Sequence, residues 1–245
     1  MRRRILFRSV FGILLGLVAP PIFGQTNSVN TFAVPFVGCK SDGQVGPVEA
    51  PEGTPMTVPV SQTQAQQLAY YKSDTLAIGV LAPRGWHCFG LYGSGGSSLF
   101  VVPQQVDTEN ILSQPIDFGG PAIQIHHRLR PYDVAQVAGR IFPAYKENAE
   151  RILEDIDQKL PPGPYPADIL SYKSASHVEY TTPAAREGLG TLLLAKSSGP
   201  IEGAVIITPD FNLLHIAMRL PNNFKILVPV IIAQFEREVS RRHPH

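Results

Sequence analysis

A serine hydrolase needs a hydroxyl beside a histidine base, and this chain offers Ser94 or Ser97 with His87 or His126 for that role. Both serines lie in the run Gly93-Ser94-Gly95-Gly96-Ser97-Ser98. The run lacks the Lys-Ser/Thr pair of a phosphate-binding loop and contains no G-x-G-x-x-G. No G-x-S-x-G nucleophile elbow aligns on Ser94, Ser97 or Ser98. The plainer reading is a hairpin tip whose glycines supply positive φ angles.

Histidines supply a second kind of chemistry. A strand over Ala122 to Leu129 sends His126 and His127 to opposite faces, so the two cannot ligate one metal together. One of them could instead meet His177 or Glu179, an i,i+2 pair on one strand face suited to a metal or to acid–base work. A metal-assisted site would draw on His126 and His177. No H-E-x-x-H occurs, and no cofactor motif is present, so no cofactor is expected. His87 beside Cys88 reads as a half-exposed filler, and His243 and His245 as parts of a terminal tail. Glu154, Asp155 and Asp157 read as the solvated face of a helix, and a glycosidase-like carboxylate pair would need a proximity that spacing does not provide. Arg186 to Gly190 reads as a tight connector near a sheet edge.

Cys39 and Cys88 are the only cysteines. Paired thiolate ligands favour C-x-x-C spacing, which is absent here. An even pair in an oxidising compartment reads as a disulfide. Closing a loop of about 50 residues stabilises a fold by roughly 4 kcal/mol in the chain-entropy model.

The elements that must position these groups follow from periodicity. Residues 25–61 are dense in Pro and Gly and are expected to form an extended arm, stapled to the body through Cys39. Residues 62–245 are expected to form one α+β domain, an antiparallel sheet covered by helices. A helix is predicted over Gln62 to Lys72, then strands over Thr75 to Ala82, Trp86 to Tyr92 and Leu99 to Val102. Asp133 is a candidate N-cap for a helix that Pro143 interrupts, with a second helical stripe continuing to Leu160. Four strands are predicted over His177 to Thr182, Thr191 to Lys196, Ile201 to Thr208 and Leu213 to Leu220. In the last of these, Leu214, Ile216, Met218 and Leu220 face the core, and His215 and Arg219 the other side. Phe224 to Arg242 closes the chain as a helix that Pro229 should bend or break.

The first 24 residues read as a cleavable export signal. Arg2, Arg3, Arg4 and Arg8 form a cationic n-region, an apolar stretch follows to Val18, and Pro20-Pro21 precede the small residue Gly24. The apolar stretch is about half of the roughly 20 residues a bilayer span needs, so no membrane span is expected after cleavage. Arg2-Arg3-Arg4-Ile5-Leu6 partly matches a twin-arginine signal, but any basic n-region looks similar, and general secretion is preferred. Phe36-Val37-Gly38-Cys39 lies too far past the apolar core for a lipoprotein box. Cleavage after Gly24 takes the net charge from +1 to −3, which argues against nucleic acid as a partner. The function expected is a periplasmic or secreted binding domain for an envelope component or small ligand, with the hydrolase and metal-assisted readings as alternatives.

Overall fold

The computed structural model describes residues 30–107 and 118–243. The signal-peptide assignment of residues 1–24 and the last residue, His245, lie outside them. The architecture is α+β, built on an eight-stranded sheet. Its strands run, in spatial order, β10 (Ile169–Ser174), β11 (His177–Thr182), β12 (Ile201–Ile207), β13 (Leu213–Arg219), β9 (Ala122–Arg128), β8 (Gly96–Val102), β7 (His87–Gly93) and β3 (Ser41–Gly43). Neighbours pair antiparallel from β10 to β7, but β3 joins β7 in parallel. The sheet is therefore mixed, which corrects the antiparallel expectation.

The Pro/Gly-rich segment is also more regular than an extended arm. Besides β3 it contributes β1 (Phe32–Val34), β2 (Phe36–Gly38) and β4 (Met56–Val58). β1 and β4 pair with each other, and β2 adds in parallel to β5 (Leu68–Lys72), which pairs with β6 (Val80–Pro83). Prolines flank these strands or stand at their ends, where a missing donor costs least. The disulfide Cys39–Cys88 forms, with a Cα–Cα distance of 5.3 Å. It sits where the chain crosses from β2 in the small sheet to β3 in the large one. Cys39 is thus committed to a sulfur–sulfur bond.

Helix α1 (Gln62–Gln67) starts on a capping box, Ser61 Oγ accepting from Gln64 N while Gln64 Oε1 accepts from Ser61 N. It stops earlier than its periodicity suggests because Leu68 to Tyr71 are buried as strand β5. Tertiary pairing overrides local propensity there. Likewise only Val80–Pro83 of the predicted 75–82 strand pairs. Helix α2 (Pro131–Ile141) begins with Pro131 rather than at Asp133, whose carboxylate instead accepts from Arg130 Nε at 2.7 Å. A 3-10 turn at Pro143–Tyr145 restarts the chain as α3 (Lys146–Glu154), which ends before Leu160. In α4 (Val228–Arg242), Pro229 occupies the first turn, where the backbone N–H groups have no intrahelical partner. It therefore starts the helix instead of breaking it.

The two faces of the large sheet differ. Toward α4 it is apolar: Leu99, Val101, Ile123, Ile125, Ile216 and Met218 pack against Ile231, Phe235 and Val239 of α4 and against Tyr71 and Leu81 of the small sheet. Toward α2 there are two separate apolar clusters. Val134, Val137 and Ile141 of α2 pack on Val178, Val205 and Ile207. Near the other end of the strands Phe89 stacks on Phe100 at 4.7 Å, with Phe118 beside both. Between the clusters runs a polar strip. At its margin the buried Arg219 donates to the carbonyls of Phe118, Gly120 and Ala195 at 2.8, 3.0 and 2.5 Å, and so ties two loops to β13.

Candidate functional site

Strand register sorts the candidate residues by face. Ser98, His126 and His215 stand directly opposite one another on β8, β9 and β13, all toward α2. Ser98 Oγ and His126 Nδ1 are 2.6 Å apart, the bond running either way according to the imidazole tautomer. Tyr180 reaches across Gly203, where any Cβ would strike its ring, and its hydroxyl meets His215 Nε2 at 2.8 Å. That hydroxyl also donates to Ile216 O at 3.1 Å. Burial holds His126 down to about 3, with Arg128 and His127 adding repulsion. Burial also depresses His215, below its ordinary range, and both rings are therefore neutral at pH 7. His215 Nδ1 is buried without a hydrogen-bond partner among the described residues.

Ser94 and Ser97 do not join this row. Ser94 is exposed at the β7–β8 turn, where its N–H donates to Gln44 Oε1 at 2.9 Å. Ser97 points to the α4 side and stands opposite His127. One residue of register thus decides which serine meets His126, and it is Ser98. His87 is exposed at the start of β7, opposite Val102. Five residues of strand separate it from Tyr92, the partner of Ser97, or about 17 Å. The turn glycines act partly as expected. Gly96 has φ +135° and lies against the His127 carbonyl, which leaves no room for a Cβ.

His177 and Glu179 share the α4 side of β11, whereas His126 faces α2, so His126 and His177 do not come together. His127 is on the same side as His177 but three strands away, about 14 Å. Among the described residues no three His, Cys, Asp or Glu side chains are grouped to hold a metal ion. Glu154, Asp155 and Asp157 are exposed. The predicted strand at 191–196 is instead a 3-10 helix, Leu189–Leu192. Asp168 organises it, accepting from Thr182 Oγ1 at 2.6 Å and from Leu189 N at 2.8 Å. The 186–190 connector is therefore filled by a side chain of the protein itself.

A groove lies where α4 crosses the outer strands. One cavity of about 280 Å³ has an apolar wall of Val228, Pro229, Ile232 and Ala233 from α4 and Ile169 from β10. Glu179, Glu202 and Glu236 border it with Ser171 and Thr181. A second cavity of about 190 Å³ continues past Glu236 toward His177, Thr208 and Ser240. Between the two, His177 Nε2 and Glu236 Oε1 lie 3.0 Å apart, an ion-pair distance, although the N–H is not aligned for a hydrogen bond. Lys173 Nζ pairs with Glu179 at 3.1 Å. Glu202 has no hydrogen bond and no close ion pair among the described residues. Burial raises its carboxyl above the usual range, and Lys225 opposes this only through space.

Glu202 and Glu236 were not among the residues singled out by sequence. Glu202 opens an apolar strand and Glu236 sits in the charged half of α4, so both read as surface carboxylates. Alternation on β12 could have marked Glu202 as sharing a face with Ala204 and Ile206, hence as an acid beside the core. No helix among the described residues is long and apolar enough to cross a membrane. No family model, no curated protein and no solved structure matches the chain.

Proposed function

We propose that this chain is an exported, non-catalytic binding domain whose ligand, carrying both an apolar part and a positive charge, occupies the groove between α4 and β10–β12. The observation that carries this reading is the 280 Å³ cavity, in which one wall is aliphatic and Glu202 is a half-buried carboxylate without a partner among the described residues. An unpaired, partly desolvated carboxylate is stabilised by a cation placed against it. The disulfide Cys39–Cys88 supports the export half of the reading, because such bonds persist in oxidising compartments. Cleavage after Gly24 would leave Gln25 as the first residue of the exported form.

The 2.6 Å contact between Ser98 and His126 favours a second reading, a serine hydrolase. Against it stand the 6% exposure of Ser98 and a histidine held near 3, a poor base at neutral pH.

Isothermal titration calorimetry with 4-phenylbutylamine, compared with 4-phenylbutyrate of similar shape and opposite charge, tests the binding reading. The amine is expected to bind and the acid not, and joint Glu202→Gln and Glu236→Gln substitution is expected to weaken the amine at least tenfold. Equal binding of both probes, or of neither, would overturn it.

A further inference from the structure

Among the described residues, strand β10 is the outermost strand of the large sheet and is hydrogen-bonded on one side only, by β11. In an antiparallel pair, alternate residues turn their N–H and C=O groups away from the partner, and at an edge those groups wait for another strand. Apolar side chains flank this edge on both sides. Ile169 is 68% exposed and lines the cavity, while Tyr172 is 49% exposed on the opposite face. Natural edges are commonly closed by bulges and lysines. Here the register shift between Tyr172 and Ser174, with Lys173 inside it, closes only the far end. Ile169 to Tyr172 remains open, beside the groove.

A strand laid along this edge would send every second side chain to the α4 side. Glu179 on β11 would lie about 10 Å from its backbone, two strand spacings away, and its carboxylate is already paired with Lys173 at 3.1 Å. Glu202 and Glu236 border the same groove, so the α4 side of the seam stays acidic beyond what Lys173 offsets. A second copy of this chain would bring the same surplus of carboxylates to the same seam. The charge complement is a basic partner.

We propose that the ligand of the groove is an extended polypeptide segment bearing Lys or Arg, which adds to β10 as a ninth strand; the proposal rests on the groove being the ligand site. The test uses the mature protein and acetylated, amidated seven-residue peptides that alternate valine with threonine and carry lysine at one position. At least one lysine peptide should bind by fluorescence anisotropy and slow amide exchange in β10 at least tenfold. N-methylation of its alternate backbone nitrogens, or glutamate in place of its lysine, should each weaken it at least tenfold. Both changes are made in the peptide, so the fold of the protein is untouched. If N-methylation has no effect, or β10 amides stay unprotected while 4-phenylbutylamine still binds, strand addition is overturned and the ligand groove survives. If neither peptide nor amine binds, both readings fall. A dimer in sedimentation that protects β10 by itself would overturn the basic peptide in favour of self-pairing.

Discussion

Two histidine contacts sit on opposite sides of one sheet and differ in what surrounds them. Toward α2, His215 and Tyr180 are sealed between apolar clusters and meet at 2.8 Å, with Ser98 and His126 in the same row. Toward α4, His177 and Glu236 meet at 3.0 Å and divide two cavities. The first pair has the chemistry of a site and the enclosure of a core. The second is bordered by open volume and by Glu202, which lacks a partner among the described residues. Residue type therefore separates the two less well than burial does.

Removing a member of the sealed row should show the largest effect. His215→Ala leaves a cavity and strips Tyr180 of a partner, and should cost about 3 kcal/mol in urea unfolding, whereas Glu236→Gln should stay within about 0.5 kcal/mol. Similar losses from both would erase the distinction.

Acid should expose the sealed row next. His126 is held near 3 in the fold against an ordinary 6.5, so below pH 6.5 the unfolded chain binds the extra proton. Stability is fully present above pH 6.5 and declines as pH falls toward 3. Between 6.5 and 5 the loss from this one group is about 2 kcal/mol, and His126→Asn should flatten that part of the curve. An unchanged slope in the variant would show that His126 is not the group responsible.

Glu202→Gln should move stability least. A neutral amide removes the burial penalty on a half-exposed carboxylate and should raise the unfolding free energy by about 0.5 kcal/mol, while amine affinity falls. A marked loss of stability would mean that Glu202 serves the fold instead of a ligand. A fluorophosphonate probe should leave Ser98 unlabelled, and stoichiometric labelling there would restore the hydrolase reading.

Much of this fold was legible in sequence where periodicity was strong. Strands β11, β12 and β13, the α2–α3 break at Pro143 and the Cys39–Cys88 pair all follow from alternation, proline placement and cysteine count. Strand β10 was missed because Ile169-Leu-Ser-Tyr-Lys-Ser174 is short and follows a proline-rich loop, and its pairing with β11 is a non-local fact. Residues 191–196 carry a strand-like apolar run, but Asp168 and Thr182 capture the preceding backbone N–H groups. The site was less legible still. His126, His177 and Glu179 were visible as types, yet only register shows that Ser98 meets His126 and that His177 lies across the sheet from it. Glu202 and Glu236 come 34 residues apart in sequence, and only the path of α4 over β12 makes them neighbours of one cavity.

The claim that the groove, and not the buried row, receives the ligand is tested most directly by NMR of isoleucine δ-methyl groups during titration with 4-phenylbutylamine. Ile169 and Ile232 line the groove, whereas Ile141 belongs to the cluster under α2 and lines neither cavity. Progressive shifts of Ile169 and Ile232 with Ile141 unmoved are predicted. Shifts at Ile141 with Ile169 and Ile232 silent would contradict the account.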